Sequence, residues 1–397
     1  MTGSLTLAPR DALRLAGLLA LAAFAFLLVS GRSIDLLGSP ARLGLMLAWP
    51  AVAVAFWASG RAWPVVAYVI AGGLLMRWVE LPPGGAGPSD HLAATYEAID
   101  VYLSGGNPYD HVYQLTRPPG SPVSQPPGEL LLHLPGYLLG GLGGVQFTQF
   151  VLAALTMGGL AWAAARFSWL AGLPALALYA GAPNLVLLAT DGSNDTGVAA
   201  LLLLAVLALA WAVSRGDQAA LLTAGAAAAF AVSTKQLALP IIVALASVAV
   251  QQVGWRRGGS YLLGAAWLLL ILSIPFLLMG PVEFFSALLS FVGAHDDIYG
   301  WNLWAFVQGL GGTPWDSGAA AILTIIVGGA ALVGLVLVRW RSLTGAVLGG
   351  VIATLLVMFA ARWTTYAYFG LVMPVAMALP LLFAWERRGL QANEAVA

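Results

Sequence analysis

Long apolar stretches and short polar ones alternate along the whole chain of 397 residues. A transmembrane helix needs roughly 20 apolar residues to cross about 30 Å of hydrocarbon. The pattern therefore predicts an all-α polytopic membrane protein, with residues 1–397 in one integral-membrane domain and tight hairpins at 59–63 and 234–236. The twelve predicted spans are 12–30, 43–59, 63–79, 144–163, 169–188, 196–213, 219–234, 236–252, 261–279, 318–338, 343–361 and 366–384.

Apolar residues make up 60% of the chain and charged residues only 9%. Soluble domains carry about 25% charged residues, so the composition excludes a soluble enzyme. The net charge is zero and cysteine is absent, which argues against a nucleic-acid partner and excludes disulfides and thiolate metal sites. The apolar run from Leu15 to Val29, behind Arg10 and Arg14, resembles a signal peptide. Because further spans follow, we interpret it as a retained signal anchor.

The charges predict the orientation in the cell inner or plasma membrane. Cytoplasmic termini put eleven of the 17 basic residues inside, as the positive-inside rule requires. Thirteen of the 17 acidic residues and all four histidines then lie outside. The two large outer segments are 80–143 and 281–317, and since loops on a rigid scaffold often carry function, we expect any chemistry on the extracytoplasmic face.

The first outer segment predicts an amphipathic helix of about four turns. Ser89 is a good N-cap, Asp90 suits the positive end of a helix, and Gly105 with Gly106 suits the other end. One face carries the apolar residues, and such a helix is expected to lie flat on the outer membrane surface. These apolar residues are Leu92, Tyr96, Ile99 and Leu103. A proline-rich path follows, and then a short helix at 129–139 that returns to the interface.

Several residues of this segment carry a family resemblance. Ser89-Asp90, a tyrosine six residues after Asp90, and the Gly-x-Asn-Pro-Tyr element at 105–109 resemble the first outer loop of GT-C superfamily membrane glycosyltransferases. The likeness is closest to bacterial polyprenol-phosphate-mannose-dependent mannosyltransferases, including the family 87 type, and covers about residues 85–140. The chain departs from that pattern at His91, where the family has a second acidic residue, and at 97–99, which read Glu-Ala-Ile in place of Trp-Asp-Gly.

The resemblance implies a GT-C-like bundle and an inverting hexosyltransferase. Its expected donor is a polyprenyl-phosphate sugar, with mannose as the sugar, and its expected acceptor is a lipid or a glycan. The likeness assigns Asp90 as the general base, whereas from the residues alone an Asp at a helix start is more often a cap than a catalyst. The resemblance implies no cofactor, and a divalent metal is not favoured.

Two cations are candidate ligands of the donor phosphate. Lys235, the single lysine of the chain, lies between two apolar helices near the outer boundary, and Arg362 lies at the outer end of the eleventh span. A charge in the hydrocarbon costs several kcal/mol. Lys235 therefore either snorkels to the headgroups or holds phosphate, as basic residues do in many enzymes of this superfamily.

Further polar clusters are candidates for sugar or acceptor binding. The Asp191–Asp195 run reads either as a solvated turn with an N-cap or as a hydroxyl-binding site. His295-Asp296-Asp297 reads as a polar loop or, with Asp90, as a divalent-metal site. We expect the sugar or acceptor to contact Glu97, Asp100, Asn107, Tyr109, Asp191, Asn194, Asp195, His295, Tyr299 and Asn302.

Two other functions fit the same pattern of spans. A secondary transporter of a sugar or amphiphile places its site at mid-membrane on broken helices, but the polar residues here cluster at one face. A non-catalytic lipid or glycan assembly protein of the same fold is the other alternative.

Overall fold

The computed structural model describes residues 8–30, 40–81, 89–116, 119–120, 123–293 and 298–394. These residues form helices and one small sheet. The helices are α1 (Pro9–Ser30), α2 (Pro40–Ser59), α3 (Trp63–Glu80), α4 (His91–Leu103), α5 (Gly128–Arg166), α6 (Trp169–Gly181), α7 (Pro183–Leu188), α8 (Asp195–Arg215), α9 (Gln218–Thr234), α10 (Leu239–Val253), α11 (Trp255–Met279), α12 (Pro281–Gly293), α13 (Leu303–Gly309), α14 (Ser317–Leu337), α15 (Leu343–Ala360) and α16 (Ala367–Glu394). The strands are β1 (Tyr299–Gly300) and β2 (Trp363–Thr364), and two 3₁₀ turns lie at Pro108–Asp110 and Gln236–Ala238.

The all-α membrane architecture is confirmed. Each predicted span coincides with helical structure, and the fifth span is divided between α6 and α7. Within the described ranges, nine helical segments are long and apolar enough to cross a bilayer, and α6 and α9 are shorter apolar helices. The total of twelve spans, the single domain and the outer location of 80–143 and 281–317 stay predictions.

The helices group into two compact units. Unit 1 contains α1–α3, α5 from Phe150 onwards, α6, α7 and α16 from Met377 onwards. Unit 2 contains α4, α5 up to Gln149, α8–α15, both strands and the first part of α16.

Unit 1 is held by close helix contacts at small residues and by one buried cation. A Cβ on Gly73 of α3 would lie 2.8 Å from the Cβ of Ala180 in α6, so glycine is what allows these helices to approach. Arg77 of α3 is fully buried and donates to the carbonyls of Tyr179 and Ala180, both at 2.9 Å. Pro183 follows and lacks the N–H that would continue the helix to Tyr179. Arg77 thus supplies donors where α6 breaks.

Unit 2 is built around α8, which is the most buried of the candidate spans. Helix α9 packs between α8 and α11. The α9–α11 contact is close enough that a Cβ on Gly225 would lie 1.9 Å from the carbonyl oxygen of Tyr261. In a bilayer such packing replaces the hydrophobic effect as the force between helices.

Helix α5 is a hairpin of two arms. Gly140 and Gly141 have non-helical backbone angles, and Gly141 has a φ of 58° that favours glycine. A Cβ on Gly136 would lie 2.3 Å from the carbonyl oxygen of Gly144, whereas eight residues of straight helix rise about 12 Å. The first arm, residues 128–139, therefore folds back on the second, residues 142–166. The arms match the short returning helix and the fourth span that the sequence predicts.

Helix α4 has the predicted length but packs on protein. Leu92 and Ile99 are buried in an apolar cluster with Tyr109, Phe276 and Phe284. A location on the membrane surface stays a prediction.

Candidate active site

The start of α4 is fixed to the loop before α8. The N–H groups of Ser89 and Leu92 donate to the carbonyls of Asp191 and Gly192, at 2.8 and 2.9 Å. These bonds satisfy donors that a helix start leaves free. The backbone of Asp90 occupies the cap position, and within the described chain its side chain makes no capping hydrogen bond, whereas Oγ of the predicted cap, Ser89, accepts from the N–H of His91 at 3.4 Å. Capping therefore does not account for the Asp90 carboxylate.

Lys235 lies against the start of α8. Its Nζ donates to Oδ1 of Asp195 at 2.7 Å and to Oδ1 of Asn194 at 3.0 Å, and it lies 4.5 Å from the ring centre of Tyr368. Lys235 is 4% exposed and Asp195 is fully buried. Snorkelling to the headgroups therefore does not describe Lys235, because its ammonium group bonds within the protein. Lys235 and Asp195 thus form an ion pair in a region from which water is largely excluded. The low local dielectric strengthens the attraction between the two charges.

His91 lies among these charges. The amide nitrogen of Gln125 lies 3.0 Å from Nδ1 of His91; an amide nitrogen only donates, so Nδ1 accepts and the neutral ring carries its proton on Nε2. Burial and, to a smaller extent, the positive charge of Lys235 lower the pKa of His91, Asp195 and Asp90 oppose them, and the pKa that results is about 4. His91 is thus a neutral donor beside Asp90 at neutral pH.

Asp191 closes the same loop. Its Oδ1 accepts from the N–H of Ser193 at 2.8 Å and its Oδ2 accepts from the hydroxyl of Tyr366 at 3.3 Å. Burial raises the pKa of Asp191, while the bonds from Ser193 and Tyr366 act the other way. The segment is a turn, but the solvated turn with an N-cap is wrong, because Asp191 to Asp195 are buried and the Asn194 side chain makes no capping bond to α8. The bond to Asp191 also brings Tyr366 to the site.

A cavity of about 300 Å³ contains both predicted phosphate ligands. Lys235 and Arg362 both line it, so the structure brings together two cations that are 127 residues apart in the sequence. Most of the remaining wall is apolar. It includes Leu237, Leu288, Leu289, Val357 and Met358, and further polar lining comes from Gln125, Gln236, Thr324 and Thr364.

The small sheet positions Arg362. Strands β1 and β2 pair in parallel, with Tyr299 opposite Trp363 and Gly300 opposite Thr364. The carbonyl of Arg362 accepts from the N–H of Tyr299 at 3.1 Å and from the Asn302 amide at 2.8 Å, and its Nη1 donates to the carbonyl of Trp315. Tyr299 and Asn302, predicted to contact sugar, thus hold the backbone beside the cavity.

Four other residues predicted to contact sugar do not line the cavity and have hydrogen-bond partners within the protein. Glu97 accepts from the His111 ring at 3.1 Å, and Asp100 accepts from the hydroxyl of Tyr137 at 2.8 Å. Asn107 caps a 3₁₀ turn and Tyr109 is buried. His295 lies outside the described residues. Contact of these side chains with sugar stays a prediction.

Sequence reasoning predicted the first arm of α5 as a helix but missed its buried pair of titratable side chains. Glu129 and His133 are both fully buried, and Oε1 of Glu129 lies 3.4 Å from Nδ1 of His133. A Glu and a His four residues apart in an apolar helix share one face, and that spacing was the available signal. Within the described ranges no three His, Asp or Glu side chains form a metal-binding group.

Comparisons with known proteins agree with this architecture. The family model described as dolichyl-phosphate-mannose-protein mannosyltransferase matches residues 128–278, which include the α5 hairpin and Lys235 but neither Asp90 nor Arg362. No curated protein matches the chain in sequence.

Two solved structures resemble the chain. The crystal structure of ArnT from Cupriavidus metallidurans in the apo state is 19% identical, with a TM-score of 0.54, over 81% of this chain and 59% of that chain. The structure of ArnT from the same organism bound to undecaprenyl phosphate is 18% identical, with a TM-score of 0.51, over 81% and 60%. The chain thus spans about three fifths of the length of ArnT. Together with the family match, the likeness confirms the resemblance read from residues 85–140: this integral membrane protein has the fold of the GT-C superfamily of membrane glycosyltransferases.

Proposed function

We propose that this protein is an inverting glycosyltransferase that moves a hexose, with mannose as the expected sugar, from a polyprenyl-phosphate donor to a lipid or glycan acceptor. The observation that carries the proposal is the cavity with Lys235 and Arg362 in an otherwise largely apolar wall. Such a wall suits the start of an isoprenoid chain, and the two cations suit its phosphate. The likeness to ArnT, which has been solved bound to undecaprenyl phosphate, supports this donor class.

Asp90 and the two cations of the cavity divide the chemistry between them. Asp90 accepts the proton of the acceptor hydroxyl while the acceptor oxygen forms a bond to C1 of the sugar. The bond from C1 to the phosphate oxygen breaks on the opposite face, so the configuration inverts and polyprenyl phosphate departs. Arg362 stabilises the charge on the departing phosphate. Lys235 adds positive charge, but its bond to Asp195 makes it the weaker phosphate ligand.

We further propose that the site is extracytoplasmic and that both termini are cytoplasmic. The support is the excess of basic residues in the loops assigned to the inside, eleven against six. A reporter that is active only in the exported compartment, fused after Ala397, should be inactive. An active fusion would contradict the even number of spans.

The transferase proposal is tested with purified protein and a polyprenyl-phosphate sugar labelled in the sugar. Transfer of label to a membrane-lipid or glycan fraction is expected for the native chain. Arg362→Met should reduce transfer, whereas Arg341→Met, an exposed arginine outside the cavity, should not. Binding of undecaprenyl phosphate without transfer from labelled mannosyl, glucosyl or pentosyl donors would contradict the enzyme and favour a lipid-handling protein.

A further inference from the structure

Two buried titratable side chains, Glu129 and His133, have no part in the proposed chemistry. Both are fully buried in the first arm of α5. Burying a carboxylate is costly unless partners satisfy it, so the contacts of Glu129 indicate what it does.

One oxygen of Glu129 is linked to the start of α4. Its Oε1 lies 3.2 Å from the hydroxyl of Thr95, and the same hydroxyl lies 2.9 Å from the carbonyl of His91. Thr95 is one helical turn beyond His91 and just over one turn beyond Asp90. Through Thr95, Glu129 therefore contacts α4 one turn beyond His91, the residue that follows the proposed base.

Glu129 also interacts with the side chain of Asn194, one of the two residues that bind Lys235. Among the described residues, neither its Oε2 nor Nδ2 of Asn194 has a hydrogen bond of ordinary length, and the two side chains interact with each other. Oδ1 of the same Asn194 amide accepts from Lys235. The N–H of Gly128 also donates to Oγ of Ser233 at 3.0 Å, two residues before Lys235.

His133 extends these contacts to α8. Its Nδ1–H donates to the carbonyl of Glu129 at 2.8 Å, so the neutral ring accepts at Nε2 from the Gln149 amide at 2.7 Å. Oε1 of Gln149 accepts from the N–H of Gly197 at 2.8 Å, in the first turn of α8 with Asp195. The hydrogen bonds run in one consistent direction across the α5 hairpin.

We propose that Glu129 is a positioning residue that fixes the start of α4 and the Asn194–Lys235 contact relative to each other. Its role in catalysis rests on the proposed transferase function. Its role in orienting Lys235 does not, because the contacts exist without substrate.

The isosteric change Glu129→Gln tests this role. In one orientation the new amide nitrogen faces the Asn194 amide nitrogen, so a donor opposes a donor; in the other the amide donates to the Thr95 hydroxyl and accepts from Asn194, but carries no negative charge to strengthen either contact. Relief of the donor–donor contact by rotation of the Asn194 amide would turn Oδ1 away from Lys235. The change keeps the shape of the side chain and replaces an ionisable carboxyl group by a neutral amide.

The single lysine of the chain provides a readout that needs no enzyme activity. Acetylation of Lys235 by an amine-reactive acetate ester is followed by peptide mass spectrometry on the full chain in detergent. We expect Glu129→Gln to speed acetylation about fivefold, because one hydrogen bond contributes about 1 kcal/mol. Glu283→Gln, the same change on α12 outside these contacts, should label like the native protein.

The kinetic readout separates positioning from stability. We expect Glu129→Gln to lower kcat about tenfold or more while KM for the donor changes little, and Glu129→Asp to recover part of kcat. A lower melting temperature with unchanged kcat and unchanged labelling would overturn the proposal. If the native chain transfers no sugar but Glu129→Gln still speeds labelling, the proposed function falls and the orienting role stands.

Further variants keep the test decisive if Glu129→Gln does not fold. Thr95→Val removes the link to α4, and Gln149→Leu removes the link to α8. Faster labelling of Lys235 in Gln149→Leu and a lower kcat in Thr95→Val are expected. Native labelling and native kcat in both variants would overturn the proposal.

Discussion

Each of the two compact units buries a cation, and the two cations are satisfied differently. In unit 1, Arg77 is bound by backbone carbonyls of Gly73, Tyr179, Ala180 and Leu185 at 2.9 to 3.4 Å. In unit 2, Lys235 is bound by the side chains of Asn194 and Asp195 and lines a cavity of about 300 Å³.

The difference indicates what each cation does. Backbone carbonyls do not titrate and cannot move independently of their helix, so Arg77 fixes the break between α6 and α7. Side-chain partners can rotate away from the cation when a ligand enters. A cation that is bound by side chains beside a cavity is therefore able to bind an anionic ligand. Burial of a charge alone is therefore insufficient evidence of a binding site. Whether its partners are backbone carbonyls or side chains distinguishes a structural cation from a candidate ligand-binding one.

The strongest test of the site in unit 2 is Asp90→Asn. The amide keeps the size of the side chain but cannot take a proton from the acceptor. Loss of a general base costs about 10²–10⁴ in rate, and we expect this loss in kcat with an unchanged melting temperature. Turnover near that of the native protein would remove Asp90 from the role of base.

Arg77→Met tests the structural assignment in unit 1. It leaves the carbonyls of Tyr179 and Ala180 buried without their donors, at about 1–3 kcal/mol each. Thermal denaturation in detergent should show a lower melting temperature, and the fraction that remains folded should keep native kcat. An unchanged melting temperature, or a defect in kcat alone, would reverse the contrast between the two units.

His91 gives the site a dependence of stability on pH. Its pKa of about 4 lies below the ordinary value, so between these values the unfolded chain binds the proton and the folded chain does not. The stability is therefore complete above about pH 6.5 and declines as the pH falls towards 4, by about 1.4 kcal/mol per pH unit at most. Melting curves at pH 7.5 and 5 should differ less in His91→Gln than in the native protein, and an equal difference would contradict the neutral, buried ring.

The smallest expected effect distinguishes the two cations of the cavity. Arg362→Met should weaken binding of undecaprenyl phosphate about tenfold, since a hydrogen bond to a charged group contributes about 1.5–3 kcal/mol. Lys235→Met should weaken it less, because Asp195 already offsets that charge. Binding followed by native mass spectrometry checks the order, and a larger loss for Lys235→Met would make Lys235 the leading phosphate ligand.

Much of the fold was predictable because a bilayer leaves few choices. Backbone groups in hydrocarbon must bond within helices, so each apolar stretch of sufficient length implies a helix. The α5 hairpin was predictable in outline, since the glycines at 140 and 141 separate a short helix from a span. The Asp90 loop was found through its resemblance to a family motif, because the same residues by spacing alone describe a helix cap.

The site itself depended on contacts between distant parts of the chain. Nothing in the spacing indicates that Lys235 pairs with Asp195, 40 residues away, or that the 299–302 segment holds the backbone of Arg362. Glu129 was overlooked because its spacing of four residues from His133 places both on one helix face but does not show which residues of other helices that face contacts.

The sequence by itself therefore determined that this is a helical membrane protein with a GT-C-like first loop, since local composition and hydrogen bonding within each segment fix those features. Only the tertiary structure decided which polar side chains line one cavity and which, like Glu97 and Asp100, form hydrogen bonds with other side chains outside its lining. The physical reason is that a buried charge is stabilised by whatever partners the packing of distant helices brings within hydrogen-bonding distance. Those partners are set by the packing and not by the order of residues along any one helix.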